Sequence, residues 1–67
     1  MKLNEVEVGQ VLRPVRGGNI STDKSERYKV TRKLRDAILA INKRGHEVLI
    51  DAKNHLAELQ VDNLATI

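Results

Sequence analysis

The apolar residues of the chain fall into short runs at every second position, broken by glycine, proline and turn-forming residues. Val6 and Val8 alternate with Glu5 and Glu7, Gly9 interrupts, and residues 10–13 resume as a β-like run that Pro14 ends or places at a sheet edge. Residues 17–25 mix glycine, asparagine and hydroxyl side chains without an apolar period, and they read as an exposed loop. Tyr28, Val30, Arg32 and Leu34 then alternate with Lys29, Thr31 and Lys33, the pattern of a strand with one buried face, apart from the arginine. Arg35-Asp36 suits a tight turn. After the apolar run Ala37 to Ile41, Asn42-Lys43-Arg44-Gly45 supplies a hairpin loop with glycine at its left-handed position, and Val48-Leu49-Ile50 returns. Strands are therefore predicted over residues 28–34, 37–42 and 46–51. Asp51 is placed to cap one helical turn near 52–57, with Leu56 and Leu59 on one side, before a last short strand over about 60–64.

A helix competes for the middle of the chain. Val30, Leu34, Ala37, Ile38 and Ile41 also form a helical stripe, Asp23 with Glu26 resembles a capping box, and Lys43-Arg44-Gly45 suits a helix end. This alternative is α+β with a helix at about 24–44. It would leave Leu39 facing water and make a helix of Arg-Tyr-Lys-Val-Thr, a strand composition. The expected class is all-β, a small barrel or strongly bent antiparallel sheet with one short helical turn near 52–57.

The order of these signals resembles the small SH3-like barrels. Val8-Gly9-Gln10-Val11 opens a strand, a long polar loop follows, three strands are joined by tight turns, and one helical turn precedes a final strand, over about residues 6–64. Members of that group that bind proline-rich peptides present clustered aromatics, and this chain has only Tyr28, so that activity is not carried over. The Gly-Asp or glycine-rich strand motif of the nucleic-acid-binding members is also absent. In style, a compact cysteine-free chain that starts at Met1 also resembles the small proteins of bacteriophages.

Composition narrows the chemistry. With 67 residues the chain is read as a single domain over 1–67, and its 20 Val, Ile and Leu residues suffice for a folded core. A core of this size seldom supplies more than about 3–5 kcal/mol. The absence of cysteine removes disulfides, thiolate metal sites and cysteine nucleophiles. No window approaches the ~20 apolar residues of a membrane span, and Glu5 and Glu7 break the order of a signal peptide. A cytoplasmic chain without membrane contact is expected. His46 and His55 lie on different predicted elements and form no ligand pair. Ser21 and Ser25 have no adjacent base, Gly17-Gly18 is too short for a phosphate loop, and Glu5 with Glu7 implies no pocket. A non-enzymatic protein without cofactor or metal is the expectation.

Two features rise above this background. The net charge of +3 is unevenly spread: residues 1–12 carry −1, residues 13–44 carry +7 and residues 45–67 carry −3. Concentrated positive charge attracts polyanions, and Arg13, Arg16, Lys24, Arg27, Lys29, Lys33 and Arg35 are the candidate nucleic-acid contacts. Duplex or structured nucleic acid, held by its backbone, is the expected partner, since one tyrosine cannot make a stacking platform. The second feature is that Ile38 to Ile41 and Val48 to Ile50 are apolar on both parities, so some of that surface lies outside a one-sided core. Ile38 and Leu49 are the candidate interface positions of the alternative reading, a small regulator or inhibitor of a host protein, with a homodimer as one form of it. Ile41 and Val48 are then expected in the core.

Overall fold

The computed structural model describes residues 1–15 and 25–62, and among them every regular element is a strand or a single 3₁₀ turn. Five strands, β1 (Val11–Pro14), β2 (Tyr28–Lys33), β3 (Ala37–Ile41), β4 (Glu47–Asp51) and β5 (Leu59–Val61), form one antiparallel sheet in the order β4-β3-β2-β1-β5. The 3₁₀ turns span Leu3–Glu5 and Leu56–Glu58. The all-β expectation holds and the helix at 24–44 does not form: β2 and β3 occupy that stretch and pair with each other. The predicted loop at 17–25 lies outside the described residues except for Ser25.

Local chemistry explains the joints. Asn42 closes the β3–β4 hairpin: its side-chain oxygen accepts the N–H of Arg44 (2.9 Å) and of His46 (3.0 Å), while Gly45 takes φ +81°. A side chain would be strained at that φ, although a Cβ there would meet no atom within 4 Å. Asp51 caps the turn after β4 by accepting the Lys53 N–H at 2.9 Å, and His55 N–H returns to the Asp51 carbonyl at 3.0 Å. One turn forms there, as expected, and runs on into the second 3₁₀ turn. Gly9 (φ +96°) turns the chain into β1, its N–H donating to Val30 O at 2.8 Å.

The core lies on one face of the bent sheet. Leu12, Tyr28, Val30, Ile38, Ala40 and Ile50 alternate inward from β1 to β4, and Val6, Leu56 and Leu59 close over them. Ile38 stands directly opposite Ile50 and both are 0% exposed. This corrects two expectations. Ile38 cannot belong to an exposed interface, because its parity is the inward one, and Ile41, expected in the core, faces outward with Leu39, both half-buried; Val48, opposite Ala40, packs half-buried against the core as expected, and Leu49 is 64% exposed. Both runs are apolar on both parities, and packing against Leu12, Leu56 and Leu59 decides which parity is core.

A β-bulge at Thr31 sets the face on which the next residues lie. Val30 pairs with Ala40 but Arg32 pairs with Leu39, so one residue of β2 is extra and the alternation reverses after it. Thr31 Oγ1 donates to Leu39 O at 3.2 Å at that point. Arg32 is thereby turned to the outer face with Leu39 instead of standing in line with Tyr28 and Val30, and Lys33 takes the parity of Ile38.

Candidate nucleic-acid interface

The basic residues divide among three environments. Arg27 is structural: its Nε donates to Asp62 Oδ2 at 3.0 Å, with side chains 25% and 16% exposed, and its Nη1 donates to Glu26 O at 2.7 Å. The pair ties the end of β5 to the start of β2, and Asp62 N–H also donates to Val11 O. Arg27→Ala is expected to lower stability by about 1 kcal/mol, and by less at high salt. Urea unfolding at two ionic strengths measures both.

Arg13 and Lys29 lie on the outer face, away from the core. Arg13 is opposite Gln60, whose side-chain oxygen, once the amide is oriented for its neighbours, accepts from Arg13 Nη2 at 2.9 Å. Lys29 is half-buried between Val11 of β1 and Ile41 of β3, its cross-strand neighbours. Arg13 is exposed with its guanidinium held by Gln60, Lys29 is half-buried, and both stand on the strands away from the β2–β3 turn.

The third environment is the end of the sheet where β2 turns into β3. Arg32, Lys33 and Arg35 are exposed there. Ala52 N–H donates to Asp36 O at 2.9 Å, which fixes the turn after β4 against this hairpin and brings the exposed Lys53 to the same end. Four cations and two carboxylates, Asp36 and Asp51, thus share this end of the sheet. Asp51 is engaged locally, with Oδ1 on Lys53 N–H and Oδ2 on Asn54 Nδ2, both at 2.9 Å. The side chains of the four cations make no hydrogen bond or ion pair with any described residue. The hairpin at the other end of β3 also carries Lys43 and Arg44, but there Glu26 Oε1 accepts the Lys43 N–H at 3.1 Å and Glu47 follows closely.

The predicted set is therefore rearranged. Lys33 and Arg35 are brought together; Arg13, Arg27 and Lys29 lie elsewhere; Arg16 and Lys24 fall outside the described residues. Sequence reasoning missed Arg32 and Lys53. An arginine on the apolar parity of β2 is the signal for the first, since a bulge before it resolves the conflict. Lys53 had no local signal, because its place depends on a contact between segments distant in the chain.

No cavity is found among the described residues, and no three His, Asp or Glu side chains converge as a metal site. Tyr28, the only aromatic residue, is buried and unavailable for stacking on a base. No helix among the described residues is long and apolar enough to cross a membrane. Comparison with family models, with curated proteins and with solved structures finds no match to this chain.

Proposed function

We propose that the protein is a non-enzymatic module that holds the sugar–phosphate backbone of duplex or structured nucleic acid at the basic end of its sheet, through Arg32, Lys33, Arg35 and Lys53. The observation that carries this reading is the set of four exposed cations, from two segments, none of them neutralised by a described carboxylate. Surface charges that serve only solubility are interspersed with opposite charge, whereas a concentrated, unpaired group gains by displacing counterions from a polyanion. Phosphate contacts position a protein without reading sequence, so the proposal extends to no base specificity. The strand order, with β1 flanked by β2 and β5, is compatible with an SH3-like barrel, and we extend the proposal to that fold group. A phage origin rests on resemblance of style alone, and a regulatory role on a host protein rests on the exposed aliphatic surface at Leu49, since Ile38 is buried.

Fluorescence anisotropy with a labelled duplex of arbitrary sequence tests the proposal. With four phosphate contacts, log affinity is expected to fall against log salt with a slope of about −3 to −4, and to vary little between sequences. Absence of binding at low salt, or a slope near zero, would refute it.

A further inference from the structure

The outer face of β2, β3 and β4 is graded in charge across the strands. The cross-strand rows are Lys29–Ile41–Glu47 and Arg32–Leu39–Leu49, with Ala37 and Asp51 beyond them. Residues directly opposite one another share a face, so β2 presents a basic column, β3 an aliphatic one, and β4 two carboxylates flanking Leu49. Leu49 is exposed, and Leu39 and Ile41 remain half-exposed beside it. A nucleic acid is repelled by the β4 side of this face, and an apolar partner leaves its charges unpaired.

The geometry points to a second copy of this chain as the occupant. A two-fold axis parallel to β3 and lying above it carries β2 of one copy over β4 of the other and keeps each row level with itself. Lys29 then faces Glu47 of the second copy, twice by symmetry, Arg32 lays its aliphatic stem over Leu49, and Leu39 and Ile41 meet the same residues across the axis. A self-complementary patch of this kind is what a two-fold interface requires. Aligned sheets pack ~30° apart, which fans the rows without exchanging the columns. The other way to pair two copies, edge to edge through β4 about Leu49, sets Glu47 against Asp51 twice and is disfavoured by like charge.

The face is three strands wide and five residues long, ~14 by ~17 Å, which is smaller than a standard interface of ~800 Å² per partner. The dimer is therefore weak and reversible. Arg32 belongs to both surfaces, whereas Lys33 pairs with Ile38 on the opposite parity and Arg35 and Lys53 lie in the turns beyond the last row, so three of the four cations of the phosphate reading stay accessible in the dimer. The axis brings both basic ends to the same side of the pair.

Sedimentation velocity of the protein alone, from ~10 µM to ~1 mM, reads the association. Lys29→Glu and Glu47→Lys are each expected to weaken it by at least ~10-fold, because each reversal acts twice across the axis, and the double exchange to restore it to within ~3-fold of the parent. Leu49→Lys, at a position too exposed to affect folding, is expected to abolish it. A parent that stays monomeric throughout, single variants that associate like the parent, or a double exchange no better than the singles would overturn the proposal. A monomeric parent would assign the face to a different protein. Loss of duplex binding with the dimer intact would count against the phosphate reading alone.

Discussion

Ile38→Ala and Ile50→Ala are each expected to leave the chain largely unfolded at 25 °C. The two side chains stand opposite one another at the centre of the β3–β4 pair, fully buried, and Leu12, Leu56 and Leu59 belong to the same core. Removing three carbons from such a site forfeits their transfer free energy and leaves a cavity, together about 2–5 kcal/mol. A domain of this size has about 3–5 kcal/mol to lose. Ile41→Ala and Val48→Ala, at half-buried positions, should cost only about 1 kcal/mol each. Urea unfolding followed by circular dichroism orders the four variants. If Ile41→Ala proves as damaging as Ile38→Ala, the inward parity of β3 assigned above is incorrect.

That ordering marks the line between what was legible in the sequence and what was not. Element type and position were legible wherever the determinants are local: Asn42 and Gly45 define the β3–β4 loop, Asp51 caps the turn that follows, and the spacing of Tyr28 and Val30 starts β2. The strands end within a residue of the predicted bounds for 28–34 and 37–42. The facing of β3 was not legible, because Ile38 to Ile41 offers apolar side chains to both sides and only packing against distant leucines selects one. The bulge at Thr31 escaped for a related reason: strict alternation was extended through Arg32 to Leu34, and the arginine was tolerated as an exception. The 3₁₀ turn at Leu3–Glu5, which seats Met1 and Leu3 against the core, carries no turn signature in sequence. The basic site was legible as an excess of charge but not as a place. Of the five proposed cations among the described residues, Arg13, Arg27, Lys29, Lys33 and Arg35, the last two lie at the sheet end where Arg32 and Lys53 join them.

Replacing Lys33, Arg35 and Lys53 by alanine is expected to weaken duplex binding by roughly 10² to 10³-fold at 0.1 M salt. Each lost phosphate contact removes about one decade at that ionic strength and about 0.9 from the salt slope, so a slope near −3.6 should flatten to about −1. All three side chains are exposed and unpartnered among the described residues, so the melting temperature should barely change. The same experiment with Arg13, Lys43 and Arg44 replaced serves as a charge-matched control and should show a markedly smaller loss. Equal losses in the two triple variants would mean that binding follows net charge and not the sheet end, and the site assignment would fall.

Titrating the ¹⁵N-labelled protein with a short duplex at low salt, and following the backbone amides by NMR, locates bound phosphates on the sheet. Shifts are predicted over residues 32–36 and 52–54, with the amides of β5 and of the β3–β4 hairpin little changed. Shifts centred instead on the 42–46 hairpin, or no shifts at saturating duplex, would contradict the account.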